Sequence, residues 1–142
     1  MITIKNKTQV IITLMISASM ASIDRSIVNI SLPAIRRDFG VDMNQIEWVV
    51  TAYMLTYLLS IPLMNWLKTV IGYYKLLLGC LTLFTLGSLF CSLSTNLETL
   101  VIARMVQAAA GGTIAPMSLA ILSDYLPKEE RGSAIGWWGM GN

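Results

Sequence analysis

Residues 8–33 read TQVIITLMISASMASIDRSIVNISLP, an apolar segment with a carboxylate and a guanidinium side by side near its end. Residues 8–32 are enough to cross a bilayer as a helix, and Pro33 is expected to end that helix. Ionisable groups are costly in hydrocarbon and survive mainly where they face a cavity or a partner. Asp24 and Arg25 therefore call for an explanation in terms of function or of helix packing.

The composition of the whole chain is that of a membrane protein. Of its 142 residues, 55% are hydrophobic and 13% are charged, against roughly 25% charged residues in average soluble chains. The apolar residues are gathered into blocks of about 20, the length of a membrane-crossing helix. We predict an all-α, polytopic membrane helix bundle, for which residues 1–142 provide an N-terminal, incomplete part. The predicted spans are residues 8–32, 48–67, 76–93 and 97–122, with the start of a fifth from 132.

Two further observations narrow the class of protein. A secretory signal peptide is the alternative for the first block, but the apolar pattern continues past Arg25. There is no His, the net charge is +2, and Cys80 and Cys91 are too far apart along one helix for a disulfide. The residues form no nucleotide-binding glycine loop, metal cluster or nucleophile–base pair. We expect no enzyme activity, no cofactor, no metal and no nucleic-acid partner, so that any energy source is an ion gradient.

The lysines and arginines of the short links predict the orientation in the membrane, because cytoplasmic loops carry an excess of them. Arg36 and Arg37 occupy the first link and the third link has neither residue type. The other links and the N-terminal tail hold Lys5, Lys7, Lys68, Lys75, Lys128 and Arg131. The N-terminus is therefore predicted to be cytoplasmic, in a multi-pass protein of a cell membrane.

This orientation puts two opposite charges at a similar depth. Asp24 would lie about 12 Å inside the outer end of the first span, and Arg104 about 10 Å inside the fourth. If the two helices are neighbours, these groups can pair or share a water-filled pocket. Arg25 points about 100° away from Asp24 and shares a second polar side with Asn29. A purely structural ion pair and a role in substrate or proton handling both remain open at this point.

Four stretches resemble one family of transporters. Residues 24–33 (DRSIVNISLP) are similar to a first-span signature usually written LDxTIVNVALP, and residues 48–53 (WVVTAY) fit the second span of the same family. Residues 100–107 (LVIARMVQ) match the fourth-span pattern LxxxRxxQG up to the Gln, and residues 127–140 (PKEERGSAIGWWGM) resemble the approach to a fifth span. The chain thus resembles the N-terminal end of a major facilitator superfamily transporter, in the drug:proton antiporter branch with about 14 spans.

The sequence also departs from the family pattern. The loop between the second and third spans, usually GxLaDRxGRR, has Thr69 and Val70 in place of the acidic residue and the following arginine. Ala108 occupies the usual glycine place after Gln107, and the fifth-span antiport signature would lie beyond Gly136. The first departure is typical of the branch that exports hydrophobic compounds.

The resemblance implies roles for particular residues. Asp24 would be a protonatable group, Arg104 would take part in proton coupling, and Gln107 would support that arginine, with Arg25 and Asn29 as further candidates in the substrate cavity. The implied function is proton-coupled export of hydrophobic or cationic drug-like compounds by alternating access, in a bacterial cell membrane. The implied partners are the lipid bilayer, protons and the small substrate, and accessory export subunits are unknown. The alternatives are a small four-helix exporter acting as a dimer and a truncated membrane protein without transport.

Overall fold

A computed structural model describes residues 7–140, which form five α-helices and no strand. The first four are long and apolar enough to cross a membrane. The predicted all-α membrane bundle is therefore confirmed, and Lys5 of the basic tail lies outside the described residues. The helices are α1 (Lys7–Phe39), α2 (Met43–Ile71), α3 (Tyr73–Ser92), α4 (Leu97–Tyr125) and α5 (Lys128–Met140).

The helix α1 runs through Pro33 and ends six residues later, at Phe39. The prediction that Pro33 ends this helix is wrong, because an exposed proline removes only its own N–H bond while the neighbouring backbone bonds continue the helix. The helix ends at Gly40 instead, whose φ of +62° suits a residue without a side chain. The N–H of Val41 there donates to the carbonyl of Arg36 over 3.2 Å.

The other links are short and made by identifiable residues. Gly72, with a φ of +83°, alone separates α2 from α3. At the start of α2 the Gln45 side chain accepts from the Asp42 N–H at 3.0 Å, and at the start of α4 the Asn96 side chain accepts from the Thr99 N–H at 2.9 Å. The helices also extend beyond the predicted spans, since polar residues at their ends can keep helical hydrogen bonds outside the hydrocarbon.

The central element of the bundle is α4, which packs against each of the other four described helices. In its apolar stretch 56% of the residues are buried, against 28% in each of α1, α2 and α3. Small residues permit this: a side chain at Gly87 of α3 would come within 2.9 Å of Gln107 Cβ, and one at Gly112 within 2.6 Å of the Tyr57 carbonyl oxygen. Gly87 of α3 and Gly112 of α4 therefore let neighbouring helices come close to the residues discussed below.

Candidate functional site: a buried ion pair beside an aromatic cavity

The two charges predicted to lie at similar depth form an ion pair in the structure. Arg104 Nη1 of α4 lies 2.6 Å from Asp24 Oδ2 of α1. The side chain of Arg104 is 3% exposed and that of Asp24 is 18% exposed, so the pair is largely shielded from its surroundings. The adjacency of α1 and α4, which the residues alone did not provide, puts Arg104 and not Arg25 opposite Asp24.

Gln107 connects both members of the pair. It lies one turn after Arg104 on the same face of α4. Its Oε1 accepts from Arg104 Nη1 at 2.6 Å, and its Nε2 donates to Asp24 Oδ1 at 2.7 Å. Both carboxylate oxygens of Asp24 are therefore bonded, one by the guanidinium and one by the amide. The three residues form a closed set of hydrogen bonds between α1 and α4.

The helix α3 adds two residues that the sequence analysis did not connect with this site. Gln107 Nε2 also donates to Ser88 Oγ at 2.7 Å, and Cys91 Sγ lies 3.7 Å from Gln107 Oε1. The depth of Ser88 in the membrane could have indicated its role. Ser88 lies about 8 Å from the predicted outer end of its span, close to the depth predicted for Arg104. Cys91 therefore lies at the edge of the same network.

An aromatic ring covers the guanidinium of Arg104. Its Cζ lies 4.1 Å from the ring centroid of Tyr53, a residue of α2 that is 3% exposed. The face of a phenol ring attracts a cation, most strongly where water is excluded. The Nε of Arg104 has no hydrogen-bond partner among the described residues. The charge of Arg104 is thus balanced by the Asp24 carboxylate, the Gln107 oxygen and the Tyr53 ring.

Arg25 and Asn29 lie on another side of α1, next to this network. Arg25 forms no ion pair with a described residue; its Nη2 donates to Ser22 Oγ over 3.3 Å and its Cζ lies 5.4 Å from the Tyr57 ring centroid. Asn29 is exposed. Both residues line a cavity of about 230 Å³. The other residues lining it are Val50, Tyr53, Met54, Tyr57, Leu58 and Arg104.

The predicted site residues therefore divide into two groups. Asp24, Arg104 and Gln107 are joined by short hydrogen bonds, whereas Arg25 and Asn29 lie in the adjoining cavity. In chemical terms the first group is a shielded carboxylate paired with a guanidinium, and the second is an open recess lined by Arg25 and Arg104. Within residues 7–140, no cluster of His, Cys, Asp and Glu could hold a metal ion.

Four membrane-crossing helices around a shielded acid–guanidinium pair define a multi-pass protein of the cell membrane. Residues 14–142 match the family model described as Major Facilitator Superfamily, and the chain belongs to that superfamily. The resemblance inferred from the sequence motifs is thereby confirmed.

Several bacterial relatives are similar to almost the whole chain. It is 39% identical over 93% of its length to the riboflavin transporter RibZ of Clostridioides difficile. It is 34% identical over 92% of its length to the multidrug export protein EmrB of Haemophilus influenzae, and 32% over 91% to the protein of that name from Escherichia coli K12. The chain spans 29%, 26% and 25% of the lengths of these three relatives, respectively.

Proposed function

We propose that the chain provides the proton-coupling part of a membrane transporter that exports small hydrophobic compounds by alternating access. Asp24 is the group that takes up and releases the proton, and the Asp24–Arg104 pair, buried at Arg104 and partly buried at Asp24, is the observation that carries the proposal. Membership in a transporter superfamily supports this function, and the relatives named for multidrug export support a hydrophobic substrate. One relative is named for riboflavin transport, so riboflavin is a second candidate substrate.

The physical basis is the dependence of Arg104 on its counterion. A proton on Asp24 removes the negative charge that balances a guanidinium of which 3% is exposed. Leaving one member of a buried pair without its partner costs about 3–5 kcal/mol. That free energy favours a rearrangement in which Arg104 gains water or another acceptor, and rocking of helices around a central site is the movement that such bundles use.

Gln107 makes the change reversible. It accepts from Arg104 and donates to Asp24 at the same time, so it offers both groups a bonding partner when they come together again. Loss of the proton restores the carboxylate, and the two short bonds to Arg104 and Gln107 reform. The protonation state of Asp24 thus determines which arrangement of α1 and α4 is favoured, through its bonds to Arg104 and Gln107.

The competing explanation is that the Asp24–Arg104 ion pair is purely structural and only stabilises the packing of α1 against α4. Superfamily membership favours the transporter over the four-helix exporter acting as a dimer. The two explanations differ in what they predict for a pH gradient. Loss of a purely structural ion pair would affect folding, but it would not change how transport responds to the gradient.

The decisive experiment replaces Asp24 by Asn in the full-length protein, reconstituted into vesicles with an imposed pH gradient. We expect export of a hydrophobic dye such as phenylnaphthylamine to lose its dependence on the gradient, while exchange of dye across the membrane at equal pH persists. Asp38→Asn is the matched control, because Asp38 is an exposed carboxylate on the same helix. Gradient-driven export that continues unchanged in Asp24→Asn would exclude the proposed role.

A further inference from the structure

The cavity beside the ion pair has an uneven charge distribution. Its charged lining residues are Arg25 and Arg104, and Asp24 is not among the residues that line it. The carboxylate of Asp24 is bonded to Arg104 Nη1 and Gln107 Nε2, on the side of α1 that faces α4. A ligand in this cavity therefore meets guanidinium groups and not the carboxylate.

Of these two cations, Arg25 is the one without a counterion. Among residues 7–140 it pairs with no carboxylate, and its one hydrogen bond, to Ser22 Oγ, is long at 3.3 Å. It is half-buried, and its Cζ lies 5.4 Å from the Tyr57 ring centroid. A guanidinium held over an aromatic ring keeps several N–H donors in one plane, the arrangement that recognises a carboxylate or two neighbouring oxygens.

The walls of the cavity indicate the rest of the ligand. The rings of Tyr53 and Tyr57 lie 6.1 Å apart and within 26° of parallel, and Met54 and Leu58 add aliphatic surface. Near-parallel rings and flexible apolar side chains suit a flat, largely apolar group. The cavity of about 230 Å³ is smaller than the roughly 300–1,000 Å³ of sites for drug-sized compounds, so it accommodates one end of such a compound.

From these contacts we infer that the cavity between α1 and α2 binds the anionic end of a planar aromatic compound, with Arg25 as the residue that selects its charge. This inference rests on the proposed transport function and departs from the hydrophobic or cationic substrate that the family resemblance implied. A cationic compound placed here would face the guanidinium of Arg25, which has no counterion among the described residues, and juxtaposed like charges disfavour binding. Asn29, exposed beside Arg25, can bond an oxygen or an N–H of the same compound.

The test measures binding without transport, so that its failure and the failure of proton coupling can be told apart. The purified full-length protein in neutral detergent is titrated at fixed pH with fluorescein, an anionic xanthene, and with tetramethylrhodamine methyl ester, a cation on the same ring system. Fluorescence anisotropy reports the two Kd values. We expect fluorescein to bind more tightly than the cation.

Arg25→Gln should weaken fluorescein binding by about tenfold or more, the loss of one charge-assisted contact, and should leave or improve binding of the cation. Arg25→Lys keeps the charge but loses the planar donors, and an intermediate loss is expected. Arg37→Gln is the matched control: it removes one exposed positive charge from the same helix and should change neither Kd more than about twofold.

Three results would overturn the inference. The first is fluorescein binding that is equal in the wild type and in correctly folded Arg25→Gln and Arg25→Lys proteins. The second is tighter binding of the cation than of fluorescein in the wild type. The third is displacement of fluorescein by phosphatidylglycerol in an Arg25-dependent manner, which would assign the cavity to a lipid headgroup. Loss of coupling in the vesicle experiment, with these binding results intact, would concern the proposed function alone.

Discussion

Asp24 and Arg25 are consecutive residues of α1, yet their surroundings differ in every respect that matters for a charge. Asp24 faces α4, where both of its oxygens are bonded and its positive partner is 3% exposed. Arg25 points about 100° around the helix, to an open cavity with a tyrosine ring as its neighbour. One charge is neutralised inside the bundle, and the other is available to a ligand.

The packing of α1 explains this division. Ser17 and Ala21, two turns and one turn before Asp24 on the same face, are buried, so this face lies against its neighbours. On the other side the rings of Tyr53 and Tyr57 of α2 line a recess beside Arg25. Two adjacent charges can therefore serve separate purposes, provided that the helix presents them to different neighbours.

The largest expected effect comes from removing one member of the buried pair. Asp24→Ala leaves Arg104 without its counterion and should lower the free energy of unfolding by about 3–5 kcal/mol. Arg25→Ala should cost no more than about 1 kcal/mol, because it removes only a partly exposed ring contact. Thermal unfolding in detergent measures both losses, with a thiol-reactive dye reporting when Cys80, which is 3% exposed, becomes accessible.

The double variant Asp24→Ala/Arg104→Ala provides the control for this comparison. It removes both charges together and should recover part of the stability lost in Asp24→Ala, since no unpaired guanidinium remains. Equal losses in Asp24→Ala and Arg25→Ala would contradict the distinction between the two environments.

Two glycines allow each environment to be disturbed separately. A methyl group at Gly87 would lie 2.9 Å from Gln107 Cβ, and one at Gly112 would clash with Ser60 and lie 2.6 Å from the Tyr57 carbonyl. We expect Gly87→Ala and Gly112→Ala each to cost about 1–3 kcal/mol of unfolding free energy. In the anisotropy assay Gly112→Ala, which displaces Tyr57, should weaken fluorescein binding more than Gly87→Ala does.

Gly79 offers the matched control, because it lies in α3 like Gly87 and a methyl group there would meet no atom within 4 Å. Gly79→Ala should leave the stability unchanged or raise it by up to about 1 kcal/mol through its better helix propensity. A similar loss of unfolding free energy in all three variants would contradict this explanation. It would mean that the cost does not come from the close approach of a neighbouring helix.

The smallest effects concern the two tyrosine rings. Arg104 lies 4.1 Å from the Tyr53 centroid inside the bundle, whereas Arg25 lies 5.4 Å from that of Tyr57 beside an open cavity. At each position we compare Tyr→Leu, which removes the ring, with Tyr→Phe, which keeps it. The Leu variant should have a lower free energy of unfolding than the Phe variant, by about 2 kcal/mol at Tyr53 and about 0.5–1 kcal/mol at Tyr57. Thermal unfolding of the four variants checks this order, and a larger loss at Tyr57 would reverse the assignment of the better-shielded cation.

Much of the polar site could be predicted because depth in a membrane follows from position along a helix. Counting residues from the predicted span ends brought Asp24 and Arg104 to the same level, and the motif around residues 100–107 added Gln107. Ser88 and the contact of Tyr53 with Arg104 were not predicted, because a single serine or tyrosine in an apolar helix is compatible with many rotations of that helix. The end of α1 was misplaced for a related reason: Pro33 disfavours a helix locally, but it does not outweigh the intact hydrogen bonds around it.

By itself the sequence determined the membrane-crossing helices and their approximate ends, because the length of an apolar segment and its flanking charges are local properties. Only the tertiary structure decided that Asp24 bonds to Arg104 while Arg25 lies over Tyr57. Such partnerships depend on how each helix is rotated and how closely it approaches its neighbours. Here Gly87 and Gly112 set that approach, since a side chain at either position would push α3 or α2 away from α4.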